Sequence, residues 1–583
     1  VDMYANCGWL SEACVVFERL PVRNVVTWNT LIGAYAKCGD NLAALGCLVR
    51  MEVDGFSPNP ITYICILKAC GELEDLDNGT EILVDVTIKG MEMDPFVAYT
   101  LVDMYANCGF LAEAQNMSDA LHIRNVVSWT ALIGGYVKYG LDQEALDCFQ
   151  QMQIEVVSPN TFTYASILKA CGNIRAKEKG EKIHLEIESQ ALLAADHVLT
   201  NVLIDMYAKC SLLKRAHEAF SRLIEPSIVS WNTLMGGYAR HGYGEETWTI
   251  FLQMKFDGFT PDAISYGCVL QACATIGRVD KGRSIHAEIE KERFLETDLI
   301  LGNMLVDMYA TCGVLVKALE VFDNARVRDV VSWTSLMAGY IKCECFDDVT
   351  NYFECMQFEG IVPNSVTFVC VLKACGNMGI SQKGQYLHIE IVKKGMLEKH
   401  SAVGNSIIDM YAKCGFMPEA HEVSDKLPNQ DLVSWNALIS GYAQLGASEM
   451  VIRLIEEMLQ NDQDLDKVTL ISALNACSHA GLVDTGALTF HAIHEFYGFM
   501  PCIEHHVCLA DIFGRAGQLQ NAIAMVEGMP FHPNHVMWHS ILTACTKWGD
   551  IELGRQAFAH AIHVDGNDAV AAYLCLSKLY FDI

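Results

Sequence analysis

The motif VVSWTALIGGY at residues 126–136 has related copies at 25–35, 228–238, 330–340 and 432–442. The nearly constant interval between the copies limits the possible folds more than any other feature. An Asp-Met-Tyr phrase and an Ala-Cys phrase keep the same interval of about 102 residues. Three landmarks that share one period are typical of a repeat array rather than of unrelated domains. The tryptophans of the motif are Trp28, Trp129, Trp231, Trp333 and Trp435, with a sixth in altered text at Trp538.

Each period divides into three related units, and each unit contains two helical segments. In residues 228–262, Trp231, Leu234 and Tyr238 follow the three-to-four spacing of one apolar helix face. Pro261 then ends the unit. A helix pair of this length cannot bury its apolar face alone, so it must stack on its neighbours. The sequence therefore predicts an all-α fold, an α-solenoid of stacked helix-turn-helix repeats.

Charge and cysteine content exclude several classes of protein. The 583 residues carry 41 Lys and Arg against 71 Asp and Glu, a net charge of −30. The chain therefore lacks the overall basic surface of a general nucleic-acid binder, and any RNA binding has to come from local placement of charge. The 24 cysteines include no C-x-x-C pair. Most recur once per period in apolar text, which indicates buried side chains in a reducing compartment.

Catalytic motifs are incomplete. H-x-E occurs at His184, His286 and His388, and H-x-E is half of the zinc nucleobase deaminase signature. Because no C-x-x-C completes a zinc site, and all three copies lie at the same point of the repeat, we interpret them as structural. No P-loop, nucleophile elbow or metal-ligand cluster appears, and no uncharged apolar run is long enough to span a membrane. We expect a non-enzymatic protein with no cofactor, no bound metal and no membrane partner.

The unit lengths and phrases resemble one known family. Units of 35, 36 and 31 residues, with VTFVCVLKACGNMG at 366–379 and VGNSIIDMYAKCG at 403–415, are similar to the PLS subclass of the pentatricopeptide repeat proteins, found mostly in plants. The resemblance covers essentially the whole chain. It implies a right-handed superhelical solenoid, similar to that of tetratricopeptide repeats, which reads single-stranded RNA at about one base per repeat.

The same resemblance divides the chain into repeats. Both ends fall inside the repeat pattern, so we expect a truncated chain, and a targeting peptide is not observable in it. The predicted segments are a partial S repeat at 1–24; P repeats at 25–59, 126–160, 228–262, 330–364 and 432–466; L repeats at 60–94, 161–196, 263–298 and 365–400; S repeats at 95–125, 197–227, 299–329 and 401–431; final L-type and S-type repeats at 467–502 and 503–534; an E-like motif at 535–568 and a truncated second one at 569–583.

Two positions vary between a few polar residues while their neighbours stay fixed: the fifth and the last residue of a unit. An ionised Asp only accepts hydrogen bonds and suits the ring N–H of uracil or guanine, whereas Asn can donate to cytosine or adenine. By resemblance, Asn/Asp reads U, Asn/Asn and Asn/Ser read C, and Thr/Asn reads A. Helix capping is the alternative explanation for Asn and Thr. The predicted base-reading pairs are Asn29/Asn59, Thr130/Asn160, Asn201/Ser227, Asn232/Asp262, Asn303/Asp329, Thr334/Asn364, Asn405/Asp431 and Asn436/Asp466.

Some units do not fit this scheme. They are the L-type units, with apolar residues or Gly at the fifth position, and the unit with Tyr99 and Asn125. From residue 25 to residue 466, read 5′ to 3′, the predicted RNA is C??A?CU?UA?UU, where each question mark is one such unit. The L-type pairs are Ile64/Asp94, Ala165/Asp196, Gly267/Asp298 and Val369/His400.

Two further positions complete the predicted RNA surface. The second residue of a unit is apolar, and the resemblance implies that it sandwiches a base, whereas helix faces in general would make it part of the core. The thirteenth residue is often basic, and it either contacts phosphate or complements a helix C-terminus. The base-sandwiching residues are Val26, Val127, Val229, Val331 and Val433, with Phe96, Val198 and Ile300 in the S units; the phosphate contacts are Lys37, Lys138, Lys209, Arg240, Lys342 and Lys413.

Several functions are compatible with this sequence. The PLS order and the E-like region imply a site-recognition factor for C-to-U RNA editing in a mitochondrion or chloroplast, with a deaminase or other editing protein recruited by, or following, the E-like region. An RNA stabilisation, splicing or processing factor would use the same surface. A protein-scaffolding solenoid is the alternative from another class, although tetratricopeptide units would be 34 residues long. A further alternative is that the chain is the product of a decayed gene copy.

Overall fold

The chain is helical wherever the structure assigns regular elements. The computed structural model describes residues 1–91, 94–121, 123–190, 192, 196–296, 298–428, 430–461, 463, 465–495, 500–565 and 570–581. Every regular element within these residues is a helix, so the predicted all-α solenoid is confirmed. The helices belong to two compact units, Val1–Ile289 and Glu290–Ile583.

The first unit contains eighteen consecutive helices among the described residues, and the last of them, α18, ends two residues into the second unit. Its elements are α1 (Asp2–Asn6), α2 (Leu10–Glu18), α3 (Val25–Lys37), α4 (Asn41–Val53), α5 (Pro60–Leu73), α6 (Leu76–Ile88), α7 (Pro95–Asn107), α8 (Leu111–Asp119), α9 (Val126–Lys138), α10 (Asp142–Ile154), α11 (Thr161–Asn173), α12 (Lys177–Ser189), α13 (His197–Lys209), α14 (Leu213–Ser221), α15 (Ile228–Arg240), α16 (Gly244–Phe256), α17 (Ala263–Ile276) and α18 (Val279–Lys291).

The second unit begins with a short 3-10 helix at Phe294–Glu296. The predicted border between the two E-like motifs, at residues 568 and 569, lies outside the described residues. The α-helices are α19 (Leu299–Thr311), α20 (Leu315–Asn324), α21 (Val330–Lys342), α22 (Phe346–Phe358), α23 (Ser365–Met378), α24 (Ser381–Lys393), α25 (Ser401–Lys413), α26 (Met417–Lys426), α27 (Leu432–Gln444), α28 (Ser448–Gln460), α29 (Lys467–Ala480), α30 (Val483–Glu495), α31 (Ile503–Arg515), α32 (Leu519–Glu527), α33 (His535–Trp548), α34 (Ile551–Asp565) and α35 (Val570–Phe581).

Local sequence signals set the helix ends. Ser227 is the N-cap of α15 and accepts a hydrogen bond from the Ser230 amide, which satisfies one of the free donors of the first turn. After α15, Gly242 has φ +80°, a left-handed conformation that glycine adopts without steric cost. The second helix, α16, begins directly afterwards. This arrangement produces an antiparallel helix pair.

The pairs stack so that first helices lie side by side. In the first unit α3, α5, α7, α9, α11, α13, α15 and α17 pack in succession, and in the second unit α19 to α33 do the same in odd-numbered order. The repeated tryptophans are buried in this stack: Trp231 meets Phe220 of the preceding second helix with ring centroids 4.5 Å apart. Phe322 and Trp333 repeat the contact at 4.7 Å. These T-shaped pairs give Trp231 and Trp333 the same structural role.

Close helix approach explains a second recurrent feature, the glycine before the tyrosine of the motif, which four of the five copies carry and which is Ala34 in the first. A Cβ built on Gly237 would lie 2.7 Å from the Ala208 Cβ, and one on Gly339 would lie 2.1 Å from the Ala310 Cβ. No side chain fits at such distances, so glycine lets α15 approach α13 and lets α21 approach α19. The fixed positions of the motif therefore build the stack.

The H-x-E copies also take part in packing. His184 lies on α12, where its Nδ1 is 2.7 Å from the Tyr207 hydroxyl oxygen, and burial lowers the pKa of its imidazole. Glu186 accepts a hydrogen bond from the Tyr164 hydroxyl at 2.8 Å. His388 and Tyr411 repeat the first contact at 3.1 Å. Among the described residues, no group of three or more His, Cys, Asp or Glu side chains could hold a metal ion, and none of the helices is both long and apolar enough to cross a membrane.

Candidate nucleic-acid interface

In five of the eight predicted pairs, the structure brings the fifth and last residues of the unit into direct contact. The Asn232 Nδ2 donates to both carboxylate oxygens of Asp262, at 2.9 and 3.1 Å. Asn405 donates to both oxygens of Asp431 at 3.0 Å. The pairs Asn29/Asn59, Asn303/Asp329 and Asn436/Asp466 are joined by one such bond each, at 2.9, 3.3 and 3.1 Å.

The two threonine units use a different arrangement. The Thr130 hydroxyl donates to the Val126 carbonyl oxygen at 2.6 Å, and the Thr334 hydroxyl donates to the carbonyl oxygens of Val330 and Val331 at 2.8 and 3.0 Å. The short side chain is thus held against its own helix. Thr at the fifth position therefore leaves more space beside the last residue than Asn does.

The last residue of each predicted pair is an N-cap. Asp262 Oδ1 accepts from the Ser265 amide at 2.8 Å, and Asn160 Oδ1 accepts from the Thr163 amide at 2.8 Å. The cap uses only one of the two δ atoms of an Asn or Asp, so the cap does not occupy the second one: a donor Nδ2 in Asn, and in Asp an acceptor Oδ2 that can accept more than one hydrogen bond. The same capping role belongs to Asn59, Ser227, Asp329, Asn364, Asp431 and Asp466.

Two aspartates of these pairs, Asp329 and Asp466, are held ionised by their hydrogen bonds. Burial raises the pKa of Asp466, but the Thr469 amide and the Asn436 amide donate to the carboxylate and hold its pKa below the usual range. Asp329 shows the same balance, with donors from Ser332 and Asn303. At neutral pH both carboxylates therefore present an acceptor.

The second residue of each unit is exposed rather than part of the core. Exposure of the five predicted P-unit valines ranges from 47% to 69%. Sequence reasoning missed the corresponding residues of the L units, although they share the same register. In each of the two compact units, these residues form a regular row of exposed apolar side chains on the first helices, spaced one repeat apart. The L-unit members of this row are Ile61, Phe162, Ile264, Val366 and Val468.

In the first unit, several of these positions line one groove. An open cavity of about 750 Å³ has Val198, Asn201, Val229, Asn232 and Ile264 in its wall, together with Asp205 and Arg240. Fifth-position amides and second-position apolar side chains thus face the same space. A flat aromatic base with polar edges is complementary to such a surface.

Most of the predicted phosphate-contacting cations already have acidic or polar partners. The Lys209 Nζ lies 2.9 Å from Asp205 Oδ2, and an Arg240 guanidinium nitrogen lies 3.1 Å from Asp205 Oδ1. Lys138 pairs with Glu74 at 2.7 Å, Lys413 with Asp409 at 2.8 Å, and Lys342 donates to the Thr311 hydroxyl at 2.9 Å. Lys37 is exposed, with no ion pair to any described residue. Sequence spacing did not reveal these counter-ions.

The units outside the reading scheme differ physically as well. Tyr99 donates to the Ile123 carbonyl oxygen at 3.3 Å, so its hydroxyl points back to its own repeat. In the L units, Asp94, Asp196 and Asp298 cap the next helix, but their fifth-position partners have no polar side chain. These units offer no second hydrogen-bonding group to a base.

The chain is similar to known sequence families along much of its length. The profile of the PPR repeat family matches residues 23–72, 124–173, 226–275 and 328–377. The profile of the single PPR repeat matches residues 198–226, 405–426 and 433–462.

Two similar proteins come from Arabidopsis thaliana. The chloroplastic pentatricopeptide repeat-containing protein At1g15510 is 33% identical over 582 residues, and the alignment covers all of this chain and 66% of that protein. The mitochondrial pentatricopeptide repeat-containing protein At2g03380 is 31% identical, with all of this chain and 84% of that protein covered.

One solved structure shares the fold. The pentatricopeptide repeat protein PPR10 of maize, crystallised in complex with an 18-nt psaJ RNA element, aligns with a TM-score of 0.56 and 16% identity. The alignment covers 100% of this chain and 86% of PPR10. At this identity the likeness shows a common solenoid fold.

Proposed function

Because the chain belongs to the pentatricopeptide repeat proteins, we propose that it binds single-stranded RNA sequence-specifically, with about one base per repeat. One observation carries the proposal: where the last residue of a reading pair is Asn or Asp, it caps a helix through one δ oxygen, and the cap does not need its second δ atom. Exchange of Asn for Asp then changes a donor into an acceptor without removal of the cap. PPR10, which shares the fold, was crystallised with RNA, and this supports the same class of ligand.

The binding experiment compares two RNAs of equal composition. One carries C??A?CU?UA?UU, with adenine at every undetermined position, and the other carries the fixed bases in shuffled order. We expect tighter binding of the first by at least tenfold, because each wrongly paired base leaves a buried polar group without a partner. Equal affinities in fluorescence anisotropy titrations would contradict sequence-specific binding.

A single substitution tests the reading pair itself. In the Thr130/Asn160 unit, Asn160→Asp should move the preferred base from A to G, because the carboxylate accepts from the ring N–H of guanine. The Asp keeps the N-cap, so the melting temperature should stay nearly unchanged. The control is Asp147→Asn, a charge change on the second helix α10, which should leave the base preference as it is.

The PLS order and the C-terminal region support a narrower proposal, recognition of a site for C-to-U editing in an organelle. Relatives named chloroplastic and mitochondrial are consistent with an organellar location. The E-like helices α33 to α35 pack around Trp538 and expose Trp548, Tyr573 and Tyr580, a surface that suits a protein partner such as a deaminase. RNA stabilisation, splicing or processing is the alternative proposal.

Sequencing of organellar transcripts in plants without this protein distinguishes the editing proposal from RNA stabilisation, splicing or processing. Loss of C-to-U conversion a few nucleotides 3′ of a sequence that matches the predicted RNA would support editing. Altered transcript ends or intron retention, with all editing sites converted, would support processing and contradict the editing proposal. Unchanged transcripts with loss of a protein complex would favour the scaffolding function.

A further inference from the structure

A third residue contacts the reading pair, and it comes from the following repeat. In the unit that starts at residue 467, the third residue is Thr469, which is fully buried. Its hydroxyl oxygen lies 2.6 Å from Asn436 Oδ1 and 2.8 Å from Asp466 Oδ1. The Asn436 Nδ2 meanwhile donates to Asp466. The hydroxyl therefore holds the oxygen side of the amide and leaves its nitrogen side toward Asp466.

The same contact recurs in the other P units that carry Asn. Thr62 lies 2.6 Å from Asn29 Oδ1, and Ser265 lies 2.6 Å from Asn232 Oδ1. In both cases the second contact of the hydroxyl, to the last residue of the pair, is longer, at 3.0 and 2.9 Å. A hydroxyl has one proton, and the shorter distance indicates that this proton goes to the amide oxygen.

Helix capping alone does not explain this hydroxyl. Asp94, Asp196 and Asp298 cap α7, α13 and α19 although the third residue of those helices is apolar. Those are the helices that follow L units, whose fifth residues have no polar side chain to orient. A helix with a hydroxyl at its third position follows a unit whose fifth residue is polar. A helix with an apolar third residue follows a unit whose fifth residue is apolar or Gly. The apolar third residues are Val97, Leu199, Leu301 and Val403.

The S units show what happens without the contact. Ser434 donates to the backbone oxygen of Asp431 rather than to Asn405, and Asn405 Oδ1 is buried with no hydrogen-bond partner among the described residues. Asn201 Oδ1 is in the same state. A buried acceptor without a donor is energetically unfavourable, and its amide is held from one side only.

We propose that the third-position hydroxyls of Thr62, Ser265 and Thr469 are positioning groups for base reading: each fixes the amide of the preceding fifth-position Asn in the orientation that the base meets. The inference rests on the proposed RNA-binding function and extends it. Base discrimination by the P units with Asn should accordingly be stronger than discrimination by the S units, where this hydroxyl is turned away.

Thr469→Val is the direct test, because it replaces the hydroxyl by a methyl group of similar shape. The Asn436/Asp466 unit faces the last U of the predicted RNA, so affinity is measured for that RNA and for one with G at the same place. In the unaltered protein U should be preferred. In the variant this preference should fall by about three- to tenfold, the range for one lost hydrogen bond.

Thr367→Val is the matched control. Thr367 has the same place in its repeat and lies 2.9 Å from Asn364 Oδ1, but the fifth residue there is Thr334, whose hydroxyl bonds to its own helix. This variant loses the capping-box hydroxyl without loss of a contact to a fifth-position amide. The preference for A over C at that repeat should persist. Thr469→Ser, which restores a hydroxyl, should recover the preference for U.

The possible outcomes are separable. If the unaltered protein binds the U and G forms equally, the proposed base reading fails, and the inference fails with it. If the unaltered protein discriminates and Thr469→Val discriminates equally well, the inference alone is overturned. A uniform loss of affinity for both RNAs, parallel to a lower melting temperature and shared by Thr367→Val, would show that the hydroxyl acts only on helix stability and would also overturn it.

Discussion

The ion pairs in the groove should control how strongly RNA binding depends on salt. Asp205 holds both Lys209 and Arg240, with nitrogen–oxygen distances of 2.9 and 3.1 Å. In Asp205→Asn the carboxylate charge is lost, and its two cationic partners, Lys209 and Arg240, become available to phosphate. The carboxylate also repels phosphate, so both effects of the substitution favour RNA.

The size of the effect follows from these two contacts. Exposed ion pairs contribute about 0.2 to 1 kcal/mol each. In the unaltered protein phosphate has to displace Asp205 from both cations, whereas in the variant both pairs are already absent. RNA binding should therefore be tighter in the variant by roughly 2- to 30-fold at low salt. The slope of log K against log salt is about −0.7 per neutralised phosphate for single strands. Two additional contacts should therefore make the slope steeper by about 1.4.

The assay is a series of RNA titrations between about 50 and 200 mM salt, the range in which phosphate contacts are most visible. Glu218→Gln is the matched control, because it removes the same charge next to Arg215, 3.5 Å away on the second helix α14. The control should change the slope little. If both variants show the same slope, or if Asp205→Asn weakens binding, Lys209 and Arg240 do not contact phosphate and the electrostatic argument is wrong.

Three other substitutions test separate parts of the structure. Val229→Ser should weaken RNA binding by about fivefold, equal to about 1 kcal/mol of lost apolar contact. The melting temperature should stay constant, because the side chain is 56% exposed. A lower melting temperature would mean that Val229 belongs to the core. Asp466→Asn should make stability depend less on pH at the acid end. The pKa of Asp466 is lowered in the folded protein, so its contribution to the free energy of unfolding is present above about pH 4 and is lost as the pH falls through the folded-state pKa. The free energies of urea unfolding at pH 7 and pH 3 should therefore differ less in the variant than in the unaltered protein. Ala473→Val should raise the melting temperature, because Ala473 lines a largely apolar cavity of about 260 Å³ and two added methyl groups contribute about 1 to 2 kcal/mol. The corresponding residue of the preceding L unit is Val371. If the cavity is too narrow for valine, calorimetry would show no increase in the melting temperature.

The repeat period and the helix pairs could be predicted because every copy repeats the same local signals. Trp231 and Tyr238 recur with one spacing, and the register of the second-position valines follows from it. Exposure at Val229 could not be derived from the sequence, because a helix start with apolar residues is compatible with burial as well. Its side chain is exposed because the first helices pack through Trp231 and Leu234, which point the other way.

Charge placement shows the limit of sequence reasoning more clearly. Lys138 repeats at the thirteenth position, which favours a phosphate contact, but its carboxylate partner Glu74 lies 64 residues earlier. Neighbouring repeats bring such distant residues together, and no local pattern identifies the pair. The cavity beside Ala473 is similar: its walls include Leu470 and Thr489, which replace larger residues of other L units, and only the assembled helices show that nothing compensates for the lost volume.

Capping and base reading are not competing explanations of the last residue in each unit. Asn and Asp are equally good N-caps, and each caps through one oxygen, as Asn160 and Asp262 do here. The remaining δ atom is a donor in one and an acceptor in the other. The exchange is therefore nearly neutral for the helix and decisive for a hydrogen-bonding partner. A position with these properties can change its RNA preference without a loss of stability, which is why the variation in this chain is confined to so few residue types.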